Sequence, residues 1–484
     1  MTRDKRCHTV LRLLTVLFVA AVCVWGIAEA GYGLMQVLGW RMSRHSLYAL
    51  TGHFNNPGPY GGFIACVMAV AAAWVVRFRV KPGMTKSGPE AAESFDKLKV
   101  ATTWIMIILA WVTLGMGMLV LPASMSRAGW LALAAALAVE ALRLPRVREW
   151  IRGHRWVIPA SSLVAAVLLV GAFLLKSESA LGRLHIWRME CRAIAEHPWT
   201  GSGPGTLLWA YGEAQEAFFR AHLETAPPAV VRVAGCPEYA FNEFLGLGME
   251  YGIPAMFLLV ALVVLSVIAL HRANSPVAAG LTAWAIFACA SYPLSVPQLR
   301  ILGAGFVLVA LVVGLLKVGS WRLGCLPVIA AALLAGWMGF RGAFGEDSKA
   351  SLRTTREESP RVVYEQGYML HLTERYEEST KLLEQGSKMS CDPMFEIIMG
   401  KNAEALGEDA RAEALYEKAH YMVPSRLYPL VRLMRLQIRT GRNQEAMQTA
   451  QRIAAMPVNE RHTGMVRLRE ETMSTLDSLR FLAK

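Results

Sequence analysis

The chain has 484 residues, of which 54% are hydrophobic and only 18% charged, a balance too apolar for a soluble enzyme of this length. Its formal charge of +13 falls largely in short loops between apolar runs, where membrane topology and anionic headgroups account for it, and no nucleic-acid module is recognisable. The eight cysteines show no metal-like pairing, so neither a metal nor another cofactor is expected.

Apolar runs of spanning length recur at residues 10–28, 60–76, 100–121, 128–142, 156–175, 244–270, 276–293, 301–316 and 323–340. They predict an all-α, polytopic membrane protein of about nine transmembrane helices. Lys and Arg mark alternate loops: Arg3, Lys5, Arg6 and Arg12, then Arg77, Arg79, Lys81 and Lys86, then Arg143, Arg146, Arg148, Arg152 and Arg155. His271 and Arg272, and later Lys317 and Arg322, continue the alternation. These loops are predicted to be cytoplasmic, which puts residues 177–241 and the C-terminal region outside. The first run follows a basic start and lacks a small-residue cleavage site, so it reads as a retained helix.

The external segment 177–241 concentrates the polar chemistry. Arg183 and Trp187 stand at i, i+4 and share one helix face, with Glu190 and Ile194 continuing it. The guanidinium fork suits a phosphate oxygen, while an interfacial helix with Arg at the headgroups and Trp in the aromatic belt is the competing reading. Arg127, in Ser126-Arg127-Ala128-Gly129, lies between two apolar runs near the outer interface, where a charge is costly and often functional, or else snorkels. The run Gly201-Ser202-Gly203-Pro204-Gly205-Thr206 lacks the Lys of a phosphate loop and reads as a turn after a helix. Cys191 and Cys236 share this segment and are candidates for a disulfide in an oxidising compartment.

Residues 1–345 form the predicted membrane domain, 346–360 a polar linker and 361–484 a helical tail. In the tail, Tyr376-Glu377-Glu378-Ser379, Ala412-Glu413-Ala414-Leu415-Tyr416 and Asn443-Gln444-Glu445-Ala446 recur at about 32–35 residues, with Pro393, Pro424 and Pro457 at the unit ends and Gly407 and Gly441 at turns. This resembles tetratricopeptide repeats, whose stacked helical pairs present a concave surface to a protein partner.

The order of motifs carries a second resemblance. Gly52-His53-Phe54-Asn55-Asn56-Pro57 precedes the second run, Ser126-Arg127-Ala128-Gly129 the fourth; the external segment holds Gly182-Arg183, Ile186-Trp187, His197-Pro198 and the glycine run. Asn242-Glu243-Phe244-Leu245 and Glu250-Tyr251-Gly252-Ile253-Pro254 follow. Over roughly residues 28–310 the chain resembles the O-antigen ligase and polymerase superfamily, bacterial membrane glycosyltransferases that include protein O-oligosaccharyltransferases. The resemblance implies a GT-C-like architecture in the bacterial inner membrane and metal-independent transfer of a glycan from an undecaprenyl-diphosphate carrier to a hydroxyl on a lipid, glycan or protein acceptor. It implies that Arg127 and Arg183 engage the diphosphate, that Glu243 belongs to the catalytic set, and that Trp187, Asn242, His53 and Asn55 bind substrate.

Two departures stand out. Relatives carry His-Asn-Glu at the end of the external segment where this chain has Phe241-Asn242-Glu243, so Glu243, Glu238, His185 or His222 is needed as base. The region before His53 holds one span where relatives usually have several. A non-catalytic membrane assembly protein of the same ancestry, acting in cell-surface polysaccharide biogenesis, is the alternative.

Overall fold

A computed structural model describes residues 3–77, 90–175, 177–317, 326–344, 359–456 and 463–482. Arg79, Lys81, Lys86, Arg322, Pro457 and residues 346–358 of the expected linker lie outside the described residues. Every regular element among those described is an α-helix: α1 (Arg3–Val37), α2 (Pro57–Arg77), α3 (Glu90–Ala123), α4 (Arg127–Arg143), α5 (Pro145–Gly153), α6 (Val157–Leu175), α7 (Ser177–Glu196), α8 (Leu207–His222), α9 (Pro228–Val233) and α10 (Glu243–Arg272). Then come α11 (Val277–Ala288), α12 (Pro297–Lys317), α13 (Leu326–Phe344), α14 (Pro360–Leu372), α15 (Tyr376–Ser387), α16 (Met394–Ala405), α17 (Asp409–Met422), α18 (Tyr428–Arg439), α19 (Asn443–Ala455) and α20 (Thr463–Leu482).

The chain is thus a polytopic α-helical membrane protein, with a different division into spans from that expected. Five helices among the described residues are long and apolar enough to cross a bilayer: Leu13–Val37 in α1, α2, Val100–Ala123 in α3, α10, and Pro297–Leu315 in α12. The fourth run becomes α4, which ends at Arg143 before a bend of 86° into α5. Pro145 explains the break, because the residue before a proline is pushed out of helical geometry, and Leu144 is extended (φ −72°, ψ 125°). The seventh run yields only the 12 residues of α11, about 18 Å of helix against a hydrocarbon core of about 30 Å. Apolarity alone concealed that stop. The ninth run gives the short apolar helix Leu326–Arg341. The fifth folds as α6, several of whose side chains lie outside the described set.

The chain forms two compact units. The first comprises Met1–Leu175, Phe241–Phe244 and Met256–Gly336. Its centre is α2, whose small residues let neighbouring helices come close. A Cβ on Gly61 would lie 2.3 Å from the Ser126 Cβ, and one on Gly129 would lie 2.7 Å from the Gly61 carbonyl oxygen, so α2 and α4 touch backbone to backbone at their N-termini. Arg77 at the end of α2 pairs with Glu140 near the end of α4, so the two helices run parallel. In α11 the direction reverses, with Phe287 against Gly62 and Gly280 against Val70. In α1, Gly26 meets Val67 and Gly33 meets Tyr60, which is again antiparallel to α2. One end of this unit therefore gathers the N-termini of α2 and α4, the C-terminal part of α1 and the turn after α11.

A buried charge cluster closes the opposite end. His271 Nδ1 at the end of α10 lies 3.5 Å from Glu140 Oε1, and Arg143 donates to the His271 carbonyl at 2.7 Å. Arg77 and Glu140 side chains are about one-tenth exposed or less (8% and 10%), so the pair has left water. Arg77, read from sequence as a topology marker, is here also an internal ion-pair partner.

The second unit comprises Lys176–Ala240, Leu245–Ala255 and Trp337–Lys484. Its tail is a row of helical hairpins, α14–α15, α16–α17 and α18–α19, followed by α20, with turns at Glu374, Gly407 and Gly441. A core of Ala412, Tyr416, Leu430, Met434, Ala446 and Ile453 joins successive hairpins. A second core joins α7 and α8 to the tail: Met189, Tyr211, Phe218 and Phe219 share it with Cys391, and Tyr421 packs against it. Buried Gln215 of α8 donates to the carbonyls of Gly235 (3.1 Å) and Met422 (2.5 Å), and Lys418 of α17 lies 2.6 Å from Glu213. The disulfide joins Cys236 to Cys391, whose Cα atoms are 5.4 Å apart although the residues are separated by 155 in sequence. The expected Cys191–Cys236 pairing is corrected: Cys191 is a free, exposed thiol.

Candidate functional site

Five of the seven predicted site residues belong to the first unit. Arg127 is the first residue of α4, and its position is set by Ser126, which follows Met125 at φ 52°. The Ser126 hydroxyl accepts from the Gly129 amide (3.3 Å) and donates to the Gly58 carbonyl (2.9 Å), capping α4 and fastening it to the first turn of α2. The Trp130 indole donates to the Leu121 carbonyl at 2.9 Å and fixes the turn from the other side. Arg127 is half-buried.

Asn242 and Glu243 open α10. The Asn242 side-chain oxygen accepts from the Phe244 amide at 3.1 Å, and a Glu243 oxygen accepts from the Leu294 amide at 2.5 Å. Leu294 is in the turn after α11, so the start of α10 is held at the same end of the unit as Arg127. Phe241 stands at φ 55° and packs edge-on against Tyr292, ring centroids 5.3 Å apart. The left-handed region suits histidine better than a bulky phenylalanine. Glu243 spends one oxygen on backbone, a positioning contact that weakens its claim to be the base.

His53 precedes α2 at this end, held by Glu29 of α1. Glu29 Oε1 and Oε2 lie 3.1 and 3.2 Å from His53 Nδ1, and Oε2 accepts the His53 amide at 3.3 Å. Asn55 is exposed; its neighbour Asn56, which sequence reading passed over, accepts the Gly58 amide at 2.9 Å and shapes the entry to α2. Glu29 was also missed. The signal was available: an acidic residue inside an apolar run is a functional candidate by default. The N-termini of α2, α4 and α10 thus lie at the same end of the unit as Arg127, an electropositive setting suited to an anion.

Arg183 and Trp187 lie on α7 in the second unit, both half-buried on a helix whose opposite face holds His185 and Met189, while buried Glu190 continues their own face. The His185 Nε2 lies 2.8 Å from Gln215 Oε1, which also accepts from the Tyr211 hydroxyl (2.6 Å), so the imidazole is a donor there. Burial holds its pKa below the usual histidine range. His185 is a neutral core residue and is withdrawn from the candidate bases. His222 stacks on Phe218 and is exposed, as is Glu238.

Glu190 is 1% exposed, and neither carboxyl oxygen has a hydrogen-bond partner among the described residues. Burial pushes its pKa up to about 9. The folded protein then keeps a proton that the unfolded chain releases near 4.3, so stability is greatest below that value, falls as pH rises, and levels off above about 9. Glu190→Gln is expected to flatten the dependence of melting temperature on pH between 6 and 9, and a parallel slope in both proteins would show that another group is responsible.

The glycine run is not a phosphate cradle. Ser202 and Gly203 amides donate to the Met249 and Glu250 carbonyls (2.7 and 3.1 Å), and the Gly205 amide donates to Glu250 Oε1 (3.1 Å). Gly201, at φ 67°, brings the turn so close that a Cβ would lie 2.4 Å from the Glu250 carbonyl carbon. The run seats the end of α7 on the kink of α10 at Gly252.

No curated protein matches the chain. Residues 109–260 match the family model described as O-Antigen ligase. That stretch, from α3 into α10, carries Arg127, Arg183, Trp187, Asn242 and Glu243, and over it the chain is similar to O-antigen ligases.

Proposed function

We propose that the protein transfers a glycan from an undecaprenyl-diphosphate carrier to an acceptor hydroxyl on the extracytoplasmic face of the bacterial inner membrane. The observation that carries this reading is the shared location of Arg127, three helix N-termini and the Asn242–Glu243 turn at one end of the first unit. Cleaving the sugar–phosphate bond leaves negative charge on the diphosphate. Preorganised donors and a guanidinium stabilise that charge more in the transition state than in the ground state. Arg183 is assigned the same task from α7, and Trp187, Asn242, His53 and Asn55 are assigned to substrate binding.

The basic residues Arg77, Arg143 and His271 at the opposite end support a cytoplasmic assignment for it. The Cys236–Cys391 bond supports an oxidising location for the second unit. Its hairpin row, read as tetratricopeptide-like, offers a surface to a protein partner or acceptor.

Purified protein incubated with undecaprenyl-diphosphate glycan and lipid, glycan or peptide acceptors is expected to yield a conjugate and free undecaprenyl diphosphate by mass spectrometry. Phe241 in place of the relatives' histidine favours the second reading, a non-catalytic assembly protein. Binding of the carrier without product from any acceptor would establish that reading instead.

A further inference from the structure

The glycan-transfer reading leaves an acceptor proton without a base, because Phe241 cannot accept it and His185 is buried. We infer that His53, oriented by Glu29, is the general base of this protein. The inference rests on the transfer reading and names the residue that completes it.

The geometry is that of a histidine held everywhere except at one nitrogen. Glu29 is 5% exposed on α1 and touches both the His53 ring nitrogen Nδ1 and the His53 amide. Tyr32, one turn along the same helix, stacks on the imidazole at 3.9 Å between centroids. Arg44 Nη1 donates to the His53 carbonyl at 2.8 Å. The preceding residues are fixed as well: Gln36 Oε1 accepts the amides of Thr51 (2.9 Å) and Gly52 (2.8 Å). Gly52 stands at φ 58° with Glu29 Oε2 about where a Cβ would graze it (3.0 Å), so the turn that delivers the His53 amide to the carboxylate needs glycine.

This network exceeds what a surface histidine requires. The side chain of His53 is 45% exposed while that of Glu29 is 7% exposed, so the ring joins a buried carboxylate to an open face. With Nδ1–H donated to Glu29, the lone pair is on Nε2, the tautomer a base needs. A carboxylate behind the imidazole also stabilises the imidazolium formed on proton transfer. His53 lies just before α2, whose Gly58 carbonyl receives the hydroxyl of Ser126, the residue preceding Arg127. Base and phosphate-facing guanidinium therefore belong to the same end of one unit.

The step balances. The acceptor oxygen forms a bond to the anomeric carbon as the bond from that carbon to the diphosphate oxygen breaks. The hydroxyl proton passes to His53 Nε2, the electron pair of the broken bond stays on the diphosphate facing Arg127, and the imidazolium returns its proton to water. Glu29 is a positioning residue throughout.

The test combines transfer with chemical labelling of the full-length protein in detergent. His53→Gln, which retains a donor toward Glu29, and His53→Ala are expected to lower transfer by about 10²–10⁴-fold, the range of a lost general base. Added imidazole is expected to restore part of the His53→Ala rate. Glu29→Gln is expected to lower the rate less and to change the histidine limb of the pH–rate profile, which a purely structural role would leave in place. Diethyl pyrocarbonate is expected to modify His53 well before buried His185. Wild-type transfer with full activity in both His53 variants, or His53 resisting the reagent in folded protein, overturns the assignment while the transfer reading stands. Absence of any transfer by the wild type overturns that reading and the role of His53 with it.

Discussion

Replacing Arg127 by alanine is expected to slow glycan transfer by about 10²–10³-fold, equivalent to about 2.7–4 kcal/mol, the scale of one lost preorganised oxyanion donor. The guanidinium springs from the first residue of a helix whose cap is bonded to a neighbouring helix, so its base is fixed before substrate arrives. Little reorganisation is then needed as charge develops. Lysine at this position keeps the charge but not the planar fork, and partial recovery is the expected result. A snorkelling anchor behaves differently: lysine would serve fully, and membrane abundance would suffer instead of turnover. Rates at matched expression separate the two, and wild-type turnover by Arg127→Ala would remove the residue from the chemistry. The same substitution at Arg183 is expected to act on the same scale.

The largest expected effect on stability is that of Cys391→Ser. A cross-link between residues 155 apart removes much of the unfolded chain's freedom, and losing such a native bond costs about 2–5 kcal/mol. The second unit has further reason to depend on this contact. Cys391 is 2% exposed in the core shared with Tyr211 and Phe218, and its Cβ is where a side chain on Gly212 would collide (3.1 Å). A lowered melting temperature for Cys391→Ser, matched by wild type under reductant, is expected, together with a Cys236–Cys391 cross-linked peptide in the non-reduced digest. Equal melting of variant and oxidised wild type would refute the covalent brace. By the same packing, deleting the hairpin row would uncover Phe218 and Phe219 on α8 and destabilise residues 177–240 along with it.

What could be read from sequence followed the range of the interaction. Helical character and the turns at Gly407 and Gly441 were legible because periodicity and glycine are local signals. The place of Arg127 at the junction of two helices was legible for the same reason, as a charge beside apolar runs. Partners far apart in sequence were not: Glu29 and His53 are separated by 24 residues, Arg77 and Glu140 by 63, and Cys236 and Cys391 by 155. Spacing carries no information on which distant residue completes a pair, so the shared segment suggested Cys191 for Cys236 and the true partner, Cys391, was not considered. Helix length was less legible than helix position: α11 stops after 12 residues inside a longer apolar run.

Glu140 also bears on how the chain enters the membrane. Offered to the lipid alone, α4 presents a carboxylate near its end, where the cost is below the figure of about 2.5–3.5 kcal/mol for a charge at the bilayer centre, and the helix stops at Arg143. Its counter-ion, Arg77, is on a helix synthesised earlier, so the partition of α4 from the translocation channel is conditional on α2 already waiting beside it. Arg77→Ala is therefore expected to lower the amount of protein recovered in the membrane while leaving the turnover of the inserted fraction unchanged, and wild-type abundance of that variant would remove the coupling.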